Sequence, residues 1–290
     1  MKKHFKRPLS LLLAILLCIG MLPVSASAAD LTGSMSMIDI KGRDHALSSS
    51  LPAPFGGYAS EKYTMLRITD SSTGATTTAY CLELGISTYY QEQYQPSADY
   101  PQFSQEQKEL INAVLTLGYN TDTGVKYGGS PEDEYIATQI LVWLIAHKQL
   151  GTQYENQIVS EFTVNSPGAK AVFTKLRKAV MDYRTIPSFA CEDSKYASSH
   201  TYELKYNAQT GKYETTLTDS NGVLSEFSFS QPGVSFARTG NQLKISSEKT
   251  SFSTVSGEKK LPSSIAGVVK GASRYWLNEH YQNVVTFEVG

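Results

Sequence analysis

"EYIATQILVWLIAH", residues 134–147, decides how this chain has to be folded. On a helical wheel Ile136, Ile140 and Trp143 share one narrow arc, with Gln139 beside Trp143 and Val142 and Ala146 close by. Thr138, Leu141 and Ile145 occupy the opposite side, so the helix is apolar most of the way round and belongs in a core. One side chain is out of place there. Gln139 carries a primary amide into apolar surroundings, and a buried amide without a partner costs a few kcal/mol. The commonest partner for such a group is a backbone group of a neighbouring strand.

The flanking residues mark the ends of this helix. Ser130 suits an N-cap and Pro131 the first helical position, Glu132, Asp133 and Glu134 suit the positive end of the dipole, and Gly151 suits the stop. A helix before it, "SQEQKELINAVLTLGY" (104–119), opens on a capping box of Ser104 and Gln107, and Leu110, Ile111, Val114, Leu115 and Leu117 line one face. A third, "NSPGAKAVFTKLRKAVMDY" (165–183), has its basic residues on one side, and "IPS" (186–188) closes the helical region.

Strand patterns surround this block. "GSMSMIDI" (33–40), "EKYTMLRITD" (61–70) and "ATTTAYCLEL" (75–84) precede it, broken by "SSSLPAPFGG" and "DSSTG". "HTYELKYN", "KYETTLTD", "VLSEFSF", "VSFART", "NQLKISS" and "VVTFEVG" follow, with "DSNG" (219–222) expected as a hairpin turn. The fold class expected is therefore α+β. A sandwich- or barrel-like β scaffold carries a helical subdomain between its N-terminal and C-terminal strands: 29–103 β, 104–186 helical, 187–290 β.

Residues 1–28 read as a secretory signal peptide: Lys2, Lys3, Lys6 and Arg7, an apolar run from Leu11 to Leu22, then Ala26-Ser27-Ala28 as the cleavage site. Four of the 26 Lys+Arg and none of the 27 Asp+Glu lie there, so the mature chain has a net charge of −5. That balance argues against nucleic acid or anionic membranes as partners. No later apolar run reaches membrane-spanning length. Two cysteines remain, Cys81 and Cys191; in a secreted chain the default for two cysteines is one disulfide.

His45, His147, His200 and His280 show no metal-ligand spacing, and "GYNTDTG" (118–124) has only Asp122 as a carboxylate, so neither a metal nor a cofactor is expected. The tyrosine-rich stretch 87–103, with Tyr89, Tyr90, Tyr94 and Tyr100, suits a recognition surface or rings packed on the β scaffold.

Cys81 in "YCL" (80–82) and Gln139 in "TQILVW" (138–143) together resemble the thioester domains of Gram-positive surface adhesins. That family pairs an aromatic-Cys-apolar strand segment with a Thr-Gln-x-Ala-apolar-Trp helix. Thr138, Gln139, Val142 and Trp143 stand in register, and Leu141 departs from the usual Ala. The resemblance spans roughly residues 30 to 290 and implies a Cys81–Gln139 thioester that acylates a lysine amine of a host surface or matrix protein. It also implies a secreted protein held on the bacterial cell surface or at a pilus tip, with further domains, although no Leu-Pro-x-Thr-Gly signal is present. Such a site reacts once and is not a turnover enzyme.

Tyr80, Tyr135 and Trp143 are expected to keep water away. As a base for the incoming amine, Glu83 stands two residues beyond Cys81 and so on the same strand face, and His147 lies about 12 Å along the helix from Gln139. The competing expectation is a non-covalent secreted binding or structural module with a Cys81–Cys191 disulfide and Gln139 as a satisfied core amide. A cysteine hydrolase or transglutaminase-like enzyme is disfavoured, since Cys81 lies within a strand and not at a helix N-terminus that would lower its pKa.

Overall fold

The computed structural model describes residues 32–56, 61–191, 195–196, 200–250 and 255–290. Residues 1–28, read above as a signal peptide, lie outside them. In chain order the elements are β1 (Gly33–His45), β2 (Glu61–Asp70), β3 (Thr76–Cys81) and β4 (Gln93–Ser97), then α1 (Gln105–Leu117), α2 (Pro131–Ala146), α3 (Glu155–Phe162) and α4 (Pro167–Arg184). Short strands follow: β5 (Lys205–Asn207), β6 (Lys212–Thr218), β7 (Phe227–Ser230), β8 (Val234–Thr239), β9 (Gln242–Ser247) and β10 (Ser256–Lys259). The chain ends with β11 (Gly271–Leu277) and β12 (Val284–Val289).

The fold is α+β. Six strands close a barrel in the order β1-β2-β3-β12-β11-β4, so the first strands and the last two build one scaffold around the helical segment. All its pairings are antiparallel. Met35, Leu66, Ile68, Ala79, Tyr94, Trp276 and Val284 form one apolar cluster of barrel side chains. Residues alternate along each strand, so Tyr80, Leu82, Val285 and Phe287 belong instead to a second cluster shared with α1, α2 and α4. Gly33 is where β1 passes closest to the first cluster: a Cβ there would meet Ile68 and Trp276 at 2.6 Å.

Both helix starts follow their sequence signals. Ser104 and Gln107 form the reciprocal capping box of α1, and the Ser130 hydroxyl accepts from Asp133 N at the start of α2. Gln107 has a second task. Its Nε2 donates to Ile145 O (3.0 Å) and Ala146 O (3.1 Å), satisfying carbonyls at the C-terminus of α2 that have no partner within their own helix. That helix stops at Ala146, with His147 as C-cap and Lys148 in the left-handed region (φ 56°), five residues before the expected stop at Gly151.

Other differences from the sequence patterns trace to long-range pairing. β4 lies inside the tyrosine-rich stretch and gains its partners from β1 and β11. α3, β10 and β11 carry no periodicity strong enough to announce them. "DSNG" is not a hairpin turn, because β6 pairs with β5 and β9 while β7 pairs with β10. Asp219 instead caps the segments around it, its carboxylate accepting from the backbone N–H of Ser188, Asn221, Val223 and Leu224. The two-residue hairpin lies at Gly240-Asn241 between β8 and β9, with φ 57° at Gly240. The sheet β5-β6-β9-β8 has a small core of its own, Leu217, Leu224, Leu243 and Ile245. Among the described residues no helix is long and apolar enough to cross a membrane.

Candidate functional site

Cys81 is the last residue of β3, and its neighbours in the sheet are unequal. On one side it faces Val284 of β12 in regular register. On the other, the β2–β3 register ends at Leu66↔Ala79. Continued by two residues, it would set Thr64 opposite Cys81, but that pair does not form.

α2 fills the gap. The Tyr135 hydroxyl stands between the strands, donating to Ala79 O (3.1 Å) and accepting from Leu66 N (3.1 Å). One turn further on, the Gln139 amide takes both backbone groups of Cys81: Oε1 accepts from Cys81 N (2.8 Å) and Nε2 donates to Cys81 O (2.9 Å). Tyr135 and Gln139 are four residues apart and so share a helix face. The buried amide therefore meets a strand, as the sequence leads one to expect, and it does so with both its donor and its acceptor.

The neighbouring motif residues hold this dock in place. Tyr80 OH donates to Tyr119 O (2.5 Å), while Tyr119 N donates to Thr138 Oγ1 (3.0 Å), whose own hydroxyl donates to Glu134 O (2.8 Å). Tyr80 and Thr138 thus grip one peptide segment just beyond α1, alongside the contact between Cys81 and Gln139. Gly118 is required at that crossing, since a Cβ would lie 2.6 Å from Thr138 Cγ2. Tyr80 and Tyr135 stack at 4.9 Å, and Trp143 stacks on Phe162 at 5.2 Å. Tyr80, Tyr135, Thr138, Gln139 and Trp143 are all buried, and Cys81 keeps partial exposure.

Burial pushes the Cys81 thiol well above its ordinary pKa, and the nearby Glu83 carboxylate adds to the shift. Glu83 lies beyond the end of β3 with its carboxylate engaged. Oε2 accepts from Asn283 N (2.8 Å), and Oε1 accepts from Tyr100 OH (3.0 Å) and Asn283 Nδ2 (3.1 Å). His147 Nε2 accepts from Leu84 N (3.2 Å), which requires a neutral ring, and burial lowers its pKa against the opposing pull of Glu83. Both groups expected as candidate bases therefore pin the segment that follows Cys81. Gln282 fastens the next turn, its Nε2 donating to Glu83 O and to Ile86 O (3.0 Å).

The disulfide alternative is not realised. Both cysteines are free thiols, with Cys81 against the barrel and helix clusters and Cys191 beside Pro187 O and Asn221 in the C-terminal β region. In the tyrosine-rich stretch Tyr94 and Tyr100 are buried in the scaffold, and Tyr89 and Tyr90 are exposed. Among the described residues no cluster of His, Cys, Asp or Glu could hold a metal ion. Tyr135 was legible as an aromatic neighbour but not as a bridge between strands, and Asn283 and Tyr119 offered no sequence signal for their contacts.

Residues 78–181 match the family model of the thioester domain, a span that contains both Cys81 and Gln139. Among solved structures, the thioester domain of the Staphylococcus aureus TIE protein is similar, with 15% sequence identity over 88% of this chain and 92% of that one and a TM-score of 0.46. No curated protein matches.

Proposed function

We propose, from the premise that residues 78–181 form a thioester domain, that Cys81 and Gln139 condense to an internal thioester whose role is to acylate an amine. The observation that supports this most directly is the two-point dock of the Gln139 amide on the backbone of Cys81. It holds the electrophilic Cδ beside the residue bearing the nucleophile, so the encounter is intramolecular. Oε1, where negative charge grows as sulfur attacks Cδ, already receives the Cys81 N–H, which places a donor where an oxyanion needs one. The S–Cδ bond forms, the Cδ–Nε2 bond breaks, and the thiol proton leaves with nitrogen as ammonia.

In the second step an amine attacks Cδ, the C–S bond breaks, and sulfur takes up the proton the amine gives up. The product is an amide between the Gln139 side chain and the amine, with Cys81 restored as a thiol. The natural amine we infer is a lysine of a host surface or matrix protein. The chain is then a single-use adhesin domain, secreted and displayed on the bacterial surface, rather than a turnover enzyme.

Intact mass of the mature protein tests the chemistry. A closed site lacks the mass of one ammonia, gains one methylamine on treatment, and exposes one new thiol. Unmodified mass in freshly prepared protein, unchanged by methylamine, would sink the proposal.

A further inference from the structure

The Gln139 amide occupies a place in the sheet that belongs, by register, to Thr64. In β2 the N–H of Leu66 faces β3, as does that of Asp70, which donates to Ala75 O (2.9 Å). Thr64 has the same parity, so its N–H and C=O face the strand bearing Cys81. In an uninterrupted ladder Thr64 would take the two backbone groups that Gln139 now holds. β2 and Gln139 are therefore competitors for one pair of hydrogen-bonding groups.

We propose that Tyr135 is a positioning residue for thioester formation: its hydroxyl, inserted between Leu66 N and Ala79 O, keeps the β2–β3 ladder open so that Gln139 reaches Cys81. Two features single out the hydroxyl. It replaces one direct strand–strand hydrogen bond by two of its own, at 3.1 Å each, and so spreads the strands where the next pair would close. The ring is fully buried and stacked on Tyr80, so removing the oxygen leaves the aromatic packing in place. With that oxygen gone, Leu66 N can reach Ala79 O directly and the ladder can zip on to Thr64 and Cys81, displacing the amide.

The inference rests on the thioester proposed above, and the two fail differently. A wild-type chain that lacks no ammonia removes the thioester itself. The present inference is decided by variants compared with a closed wild type. Tyr135→Phe is expected to fold with a cooperative thermal transition and to show a several-fold lower closed fraction by intact mass. Whatever closed protein it contains is expected to react with methylamine at the wild-type rate, because the hydroxyl acts on the approach of Gln139 and not on the thioester once made. Thr64→Pro added to Tyr135→Phe removes the N–H with which β2 would reclaim Cys81 and is expected to restore most of the closed fraction; general destabilisation would not be rescued this way. A wild-type closed fraction in Tyr135→Phe, no recovery in the double variant, or loss of the cooperative transition in Tyr135→Phe would each overturn the inference.

Discussion

Cys81→Ala separates a covalent link from a hydrogen-bonded contact, because both bonds from Gln139 go to the backbone of residue 81. Alanine keeps that backbone, so the intact amide docks through both atoms, whereas the closed wild type has given up Nε2 as ammonia and keeps only the Oε1 contact; against that one regained bond, two things are lost. One is the packing of the thiol, about 1 kcal/mol. The other is the cross-link. Cys81 and Gln139 are 58 residues apart, and closing a loop of that length restricts the unfolded chain by about 4 kcal/mol on the chain-entropy account developed for disulfides. Together, less about 1 kcal/mol for the regained hydrogen bond, these give about 4 kcal/mol, which for a chain of this size lowers the melting temperature by roughly 8–16 °C. Differential scanning calorimetry at matched pH and scan rate, on wild type whose closed mass has been verified, reads the difference. Gln139→Ala should fall further, since it also strips both partners from Cys81 N and O at about 1–3 kcal/mol each. A Cys81→Ala transition displaced by no more than the thiol's packing, about 2–4 °C, refutes the reasoning.

His45 packs its ring against Tyr63 (4.5 Å) and Phe162 (4.8 Å), and burial lowers its pKa from 6.5 to about 4, with Asp44 opposing. The unfolded chain then binds the proton first as pH falls, so stability rises with pH between about 4 and 6.5, by up to about 3 kcal/mol. Urea midpoints measured across that range should flatten in His45→Phe. Thr138→Val leaves Tyr119 N without its acceptor in a fully buried position and should cost about 1–3 kcal/mol, read from denaturant midpoints at an unchanged m-value. Glu83→Gln keeps the shape but weakens the bonds from Asn283 and Tyr100 by about 1–2 kcal/mol in all. The methylamine rate in that variant should change less than tenfold with the pH profile retained; a lost limb in the profile would show Glu83 to be the base instead of an anchor.

What the sequence revealed and what it hid divide along sequence separation. The capping box at Ser104 and Gln107 and the Ser130 cap with Pro131 are local devices, readable because the groups they satisfy lie within four residues. Gln139 was readable as an anomaly, since an amide on the apolar stretch of a core helix demands a partner wherever it sits. The identity of that partner was legible only through the resemblance of "YCL" and "TQILVW" to a family. Nothing in residues 76–81 shows that β12, two hundred residues on, will supply the other edge of β3. Nor does the spacing show that β2 turns away from Cys81 just where α2 arrives. The "DSNG" misreading has the same origin: local turn chemistry is correct for Asp219, but which strands pair depends on β9 and β10, far along the chain.

The environment of Cys81 works on both halves of the proposed chemistry in opposite senses. A thiol whose pKa is raised by burial and by Glu83 is seldom ionised, so closure gains nothing from a ready thiolate and depends on the dock. The same raised pKa makes the sulfur a poor leaving group, because thiols of low pKa depart most readily. Water and small amines would therefore meet, in the proposed thioester, a bond that is slow to open, on a residue that is only partly exposed. A protein partner that covers the exposed side of Cys81 and brings a cation or donor to the sulfur would lower that pKa locally. On this account the cross-link stores well because its sulfur is badly placed to leave, and it is released by what the partner supplies. Methylamine opening should then speed up when a single lysine or arginine is placed beside Cys81, as in Glu83→Lys with its fold verified, and the closed form should hydrolyse faster in proportion. Faster opening by amine with unchanged hydrolysis would show that the substituted residue recruits the amine and leaves the sulfur as it was.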